Sequence, residues 1–257
     1  MAVTTPEPVS RVKIIGHRGA SYDAPENTLA SIRLAWEQHA DAVEFDVWQS
    51  RDGEIVLLHD ATTKRTGGVD RLVTDQTLEE LRRLDVGSWK SAAFAGERIA
   101  TLAEVLATVP TGKRALIEVK CGPEAVPELV RVLAASGLAP EQTVVISFHA
   151  TVIAAVKRTR PDVPAYWVVN LVGEKRTAEE LIAIAGQIKA DGLDLSATPE
   201  VLDRAFGSKV LAAGLLLCVW TVDTVELAHA MIAAGVECLT TNRPGWLREQ
   251  LGTVIRR

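Results

Sequence analysis

The 257 residues are enough to bury a full core within one large domain, and 28 basic against 33 acidic residues leave a net charge of −5. This balance excludes a general attraction to nucleic acid or to an anionic membrane, so any phosphate must be met by local groups. Cys121, Cys218 and Cys238 are far apart and lack metal-ligand spacing, and the longest apolar run, Val210 to Trp220, is too short to span a bilayer and contains Gly214. A soluble protein of a reducing, cytoplasmic compartment is expected.

Residues 1–10, MAVTTPEPVS, hold two prolines and no apolar core, which reads as a loose tail rather than a secretory signal, and residues 11–257 are expected to fold as the domain. Val12 to Gly16 is a short apolar strand. It runs into His17-Arg18-Gly19-Ala20, where glycines let the backbone turn sharply around two polar side chains. Pro25-Glu26-Asn27-Thr28 then opens a helix over Thr28–His39, with Asn27 or Thr28 as cap and Leu29, Ile32, Leu34, Ala35 and Trp36 on its apolar face.

The stretch Glu44 to Asp60, EFDVWQSRDGEIVLLHD, reads as a strand, a tight turn at Arg51-Asp52-Gly53-Glu54 and a second strand ending at His59. Side chains alternate along a strand, so Glu44 and Asp46 share one face. Such a pair on an exposed strand edge needs no explanation. In a chain whose other strands are mostly apolar, the two acids face a core or a pocket mouth and need a cation or a proton between them. Oxygen donors suit Mg²⁺ or Ca²⁺ better than Zn²⁺.

Residues 60–100 carry TTKRTGG, a short helix near Leu78–Leu84, and the GSW and FAG turns, more than a simple connection requires, and read as an insertion over one end of the domain. Thr101 caps a helix through Thr108. Regular alternation then resumes, with strands at 114–119, 143–147, 165–169, 192–195, 215–220 and 236–240. The helices between them fall near 124–136, 151–158, 178–189, 199–206, 225–234 and 245–251. With the strands at Ile14 and Glu44 this makes eight strand–helix units, the pattern of an α/β closed (β/α)₈ barrel. A doubly wound open sheet is the alternative, but no glycine-rich dinucleotide loop supports it. In such a barrel the chemistry sits at the C-terminal ends of the strands. His17 and Arg18, Glu44 and Asp46, Glu118 and Lys120, and Trp220 all fall there.

HRGA, PENT, EFDVWQSRDGEIVLLHD, IEVK and VWTVDT, in this order and spacing, resemble the glycerophosphodiester phosphodiesterase family from about Ile14 to Pro244. The insertion, with TKRT and GSW, is similar to the one that family carries after its second strand. The resemblance implies a barrel that hydrolyses glycerophosphodiesters such as glycerophosphocholine or glycerophosphoethanolamine to glycerol phosphate and an alcohol, using one divalent cation, Mg²⁺ or Ca²⁺. It also implies that His17 and His59 are the acid–base pair, that Glu44, Asp46 and Glu118 hold the metal, and that Arg18 and Lys120 hold the phosphate. Glu26, Asn27 and Trp220 match residues near the substrate. His39, His149 and His229 lack such motifs and read as packing residues, although His149 stands at a strand end. The implied partner is a small phosphodiester, with no nucleic acid and no stable membrane association.

Two positions depart from the family pattern. Ala100 stands where proline is usual, and Asn242 in TTNRP replaces a common Asp, which takes a negative charge away from the mouth. Two other functions fit parts of the pattern: a phospholipase D-like enzyme on lysophospholipids, typically secreted and disulfide-bonded, and a catalytically silent headgroup-binding barrel, against which both histidines and all three acids argue.

Overall fold

In the computed structural model, which describes residues 12–173 and 176–254, the first apolar run forms β1 (Lys13–His17). The expected tail at 1–10 lies outside the described residues. Thr28 caps α1 (Leu29–Glu37): its hydroxyl accepts from Ser31 N at 3.2 Å, and Ser31 Oγ accepts from Thr28 N at 3.3 Å. The cap is therefore Thr28, which leaves the Asn27 side chain for other work.

The acidic stretch forms β2 (Ala42–Gln49) and β3 (Ile55–Leu57), paired antiparallel, with Gly53 in the left-handed region at the turn. Between β3 and the next long strand come α2 (Lys64–Gly67), α3 (Leu78–Leu81) and α4 (Leu102–Leu106), the last two begun by capping boxes at Thr77 and Thr101. Val56, Leu58, Val73, Leu81, Val86 and Ile99 close a small apolar core of their own beneath this excursion. The insertion thus has its own reason to fold.

Strand and helix then alternate. β4 (Arg114–Val119), α5 (Val126–Ala135), β5 (Thr143–Ser147), α6 (Ala150–Thr159), β6 (Ala165–Val169) and α7 (Ala178–Ile188) are followed by β7 (Gly192–Ser196), α8 (Arg204–Ala212), β8 (Leu216–Trp220), α9 (Val225–Ala233), β9 (Cys238–Thr241) and α10 (Pro244–Val254). The strand order β1-β9-β8-β7-β6-β5-β4-β2, with β1 also pairing β2, closes eight parallel strands into a (β/α)₈ barrel; β3 is an antiparallel addition to β2. The expected helix at 199–206 is displaced: residues 199–201 are turn, Asp203 caps through its carboxylate, which accepts from Phe206 N at 2.8 Å, and the helix runs over 204–212.

Alternation divides each strand between two cores. On β4, Ala115, Ile117 and Val119 face the helices, whereas Leu116 joins Ile15, Val144, Ile146, Tyr166, Val168 and Cys218 inside the barrel. Glu118 continues the inward set toward the C-terminal end, where apolar filling gives way to carboxylates. Cys121, Cys218 and Cys238 are buried free thiols. Among the described residues no helix is long and apolar enough to cross a membrane.

Candidate active site

β1 delivers His17 and then turns at once. Arg18 has a φ of 54° and Gly19 one of 81°, and a Cβ on Gly19 would stand 2.5 Å from the Ser31 carbonyl carbon, so only glycine fits there. The turn leaves Arg18 N donating to Glu44 Oε2 at 2.9 Å. The Arg18 side chain reaches Glu26 Oε1 at 2.9 Å and Asp46 Oδ2 at 3.2 Å.

Glu44, Asp46 and Glu118 come together as the alternation on β2 and β4 requires, Asp46 and Glu118 being register partners. Each offers an oxygen, all of these atoms lie within 4.8 Å of one another, and all three residues are buried. Lys120 Nζ lies 2.6 Å from Glu118 Oε1 and 3.2 Å from Asp46 Oδ1. Asp46 is thus held from both sides. Burial works against its charge, but Lys120 and Arg18 keep its carboxyl below the usual range.

The other two acids lack that support. Burial, then the charges of Asp46 and Glu118, pushes Glu44 well above the usual carboxylate range. Burial and Asp46 raise Glu118 to about 7, even with Lys120 opposing. Glu44 Oε1 is buried without any hydrogen-bond partner. Three hard oxygen donors, two of them driven toward neutrality by crowding and one with an orphaned atom, fit a divalent cation. Oxygen-only donors favour Mg²⁺ or Ca²⁺ over softer metals.

The two histidines are equipped differently. His59 Nδ1 lies 2.7 Å from Asp60 Oδ1. Asp60 is in turn gripped by Arg65, which with the His59 contact lowers its carboxyl to about 2 and keeps it ionised. His17 Nδ1 lies 2.7 Å from Asn242 Oδ1, a neutral amide. Burial, then Arg18, lowers the His17 ring below its ordinary value, with Asn242, Asp46 and Asp223 opposing. An imidazolium at 59 is paired with a charge. One at 17 meets only an amide.

Of the remaining expected residues, Glu26 is bound by both Arg18 and Arg65, and the amide of Asn27 is spent on Asp46. Trp220 donates from Nε1 to Asp194 O at 3.3 Å, and its ring meets Phe148 edge-on, centroids 5.6 Å apart. Phe148 is exposed and lies 5.7 Å from Lys120 Nζ, an apolar wall beside the cations. His149 only precedes α6, its side chain making no cap bond.

Asp60, Arg65, Asp194 and Asp223 were not singled out from the sequence. Asp60 had a local signal, since it directly follows His59. Arg65 lies within TKRT, but its two carboxylate partners sit 5 and 39 residues away. Asp194 is buried on β7, its carboxyl raised to about 8 by burial and Glu118, with Oδ1 unpartnered. Nothing in GLDLS separates it from an ordinary polar strand residue. The charge expected to be missing at Asn242 is restored one step back, because Asn242 Nδ2 donates to Asp223 Oδ2.

The family model described as the glycerophosphoryl diester phosphodiesterase family matches residues 17–246. A candidate glycerophosphodiester phosphodiesterase of Bacillus subtilis is 34% identical over 236 residues, covering 91% of this chain and 96% of that one. A glycerophosphodiester phosphodiesterase of Caldanaerobacter subterraneus is 33% identical over 90% of this chain and 94% of its own. Among solved structures, a phosphodiesterase of Oleispira antarctica in complex with its product, sn-glycerol-3-phosphate, superposes with a TM-score of 0.85 at 28% identity, covering 93% of this chain and 96% of that one.

Proposed function

The chain belongs to the glycerophosphoryl diester phosphodiesterase family and is an enzyme of that class, and from that premise we propose that it hydrolyses glycerophosphodiesters such as glycerophosphocholine or glycerophosphoethanolamine with the help of one divalent cation, Mg²⁺ or Ca²⁺, held by Glu44, Asp46 and Glu118. The products are glycerol phosphate and a free alcohol. The observation that carries this is the buried three-carboxylate cluster flanked by Arg18 and Lys120 at the C-terminal end of the strands.

A phosphodiester repels nucleophiles with its own charge, so its hydrolysis needs charge neutralisation, an activated hydroxyl and a protonated leaving group. When bound, the cation supplies part of that neutralisation as a Lewis acid. Arg18 and Lys120 turn donors toward the phosphate oxygens. His17, whose ring is favoured in its neutral form, takes the proton of the attacking hydroxyl at Nε2. His59, backed by ionised Asp60, gives a proton to the departing alkoxide. Phe148 and Trp220 wall the mouth and limit water. The attacking group is the glycerol hydroxyl next to the esterified carbon, giving a cyclic glycerol phosphate that water then opens, since among the described residues no serine or cysteine side chain hydrogen-bonds to either imidazole.

Turnover of glycerophosphocholine by enzyme stripped with chelator, then resupplied with Mg²⁺ or Ca²⁺, tests the reading. Loss and recovery of turnover are expected. Full activity in the stripped enzyme would remove the cation from the proposal.

A further inference from the structure

We infer that Asp223, in the loop after β8, is a positioning residue for His17, acting through the side-chain amide of Asn242 to hold one tautomer of the imidazole. This rests on the reading above, in which His17 accepts a proton at Nε2.

The hydrogen bonds leave one consistent assignment. A carboxamide has two nearly identical ends, and only its neighbours decide which is oxygen and which is nitrogen. One end of the Asn242 amide faces Asp223 Oδ2. A carboxylate accepts and does not donate, so that end is the NH₂ group. The oxygen therefore faces the other way, where it receives Ser21 Oγ at 2.8 Å and lies 2.7 Å from His17 Nδ1. An amide oxygen has no hydrogen to give. The hydrogen in that contact must sit on Nδ1, which leaves Nε2 with a bare lone pair.

Asp223 is itself fixed. Its Oδ1 accepts from Thr241 Oγ1 and from Asn242 N, both at 2.8 Å. Thr241 ends β9, so the carboxylate is clamped onto the strand end that carries the amide. Three donors from two consecutive residues converge on Asp223, and the Asn242 amide cannot turn over without opposing its oxygen to a carboxylate. The chain Asp223 to Asn242 to His17 thus does by relay what Asp60 does for His59 by direct contact. The two devices differ in one respect: the relay fixes the tautomer without placing a charge against the ring.

A purely structural role, pinning the β8 loop to β9, would be equally served by other tight contacts, so the experiment must read the tautomer itself. Nitrogen-15 spectra of metal-free, histidine-labelled enzyme, assigned by comparison with His17→Gln, are expected to show His17 protonated at Nδ1. Asp223→Asn frees the amide to present either end. It is expected to convert His17 to mixed or Nε2-protonated rings and to lower kcat by about 100-fold, with KM changed less than about threefold, as when a histidine is left in the wrong tautomer. The double variant Asp223→Asn/Asn242→Asp, which places a carboxylate directly at Nδ1, is expected to restore the Nδ1–H form and kcat to within about tenfold of the parent.

An unchanged tautomer in Asp223→Asn overturns the inference, whether or not kcat falls. So does a double variant that regains the tautomer without regaining activity, since the tautomer would then not be what Asp223 contributes. Failure of the underlying reading is seen separately: kcat unaffected in His17→Gln removes His17 from the chemistry, while the spectra still report whether Asp223 sets its ring.

Discussion

Asn27 and Asp46 exchange two hydrogen bonds: Asn27 Nδ2 donates to Asp46 Oδ2 at 2.9 Å, and Asp46 N donates to Asn27 Oδ1 at 3.0 Å. The pair ties the loop before α1 to the carboxylate at the centre of the candidate cation site. It also uses a left-handed backbone, φ 56° at Asn27, which asparagine tolerates better than most residues. Asn27→Ala removes the donor that aims Oδ2 and leaves a buried backbone N–H unpaired. It is expected to weaken cation binding about 10- to 100-fold, as loss of a group orienting a metal ligand does. Stability should fall by about 1–3 kcal/mol. Calorimetric cation titration and urea unfolding of the same variant check both; an unaltered cation affinity would show that Asp46 needs no such support.

Cation binding should be coupled to pH through Glu118 and Glu44. Glu118 titrates near 7 in the folded metal-free protein against an ordinary 4.5, and Asp194 near 8 against 3.8. Between those values these two groups hold more protons in the folded state than in the unfolded one, so their contribution to the stability of the metal-free enzyme is lost as pH rises from about 4 to about 8. A cation at the cluster displaces the protons of Glu118 and Glu44. Its stabilisation, read as the rise in Tm at fixed excess Mg²⁺ or Ca²⁺, should be larger at pH 8 than at pH 5. Glu44→Gln, nearly isosteric, should shrink that rise while raising the Tm of the metal-free form, because it replaces a carboxyl whose ionisation the buried cluster suppresses with a neutral amide that carries no such cost. A Tm gain independent of pH would mean that the cation does not bind at these carboxylates.

The acid limb of kcat/KM should lie below 6.5. His17 must be neutral to accept a proton, and burial with Arg18 lowers its ring from that value, so with the cation in saturating excess activity falls as the pH drops through the lowered one. The double variant Asp223→Asn/Asn242→Asp, which sets a carboxylate against Nδ1 without opposing it to a second one, should move the limb upward. Replacing His17 or His59 by Ala should each cost about 10³-fold or more, and both together little beyond either alone, since the two act within one step. Additive losses would mean that they serve separate steps.

The barrel was legible because eight apolar runs at regular spacing leave few other closures, and the carboxylates were legible because a period of two fixes which strand residues share a face. The displaced helix shows where local reading ends. Gly207 looks like the end of a helix that began at Pro199, yet it lies inside α8, where a Cβ would stand 1.9 Å from Ala234 O. It is glycine because backbone passes against it, which no neighbour in the sequence reports. Asp223 is hidden for the same reason. Its partner is 19 residues away, and only the closing of β9 beside β8 turns Asn242 from a lost charge into a relay. The contrast between the two histidines, one facing a carboxylate and one an amide, likewise needs the folded mouth.

The internal nucleophile gives the sharpest test of the chemistry. A hydroxyl adjacent to the esterified carbon is already tethered to the phosphate, and well-aligned intramolecular attack can be worth an effective molarity on the order of 10⁵ M or more. On the proposed reading Arg18, Lys120 and the cation hold the glycerol phosphate half, so specificity rests there rather than on the departing alcohol. Turnover should therefore tolerate choline, ethanolamine or a simple alkanol as leaving group and be strict about glycerol. With the neighbouring hydroxyl replaced by hydrogen, kcat should fall by several orders of magnitude while the compound still competes with glycerophosphocholine for binding. A cyclic glycerol phosphate should be trappable early in the parent reaction and be accepted as a substrate when supplied. Turnover of the deoxy compound at the parent rate would return the attack to water, with His17 drawing its proton from that water rather than from glycerol.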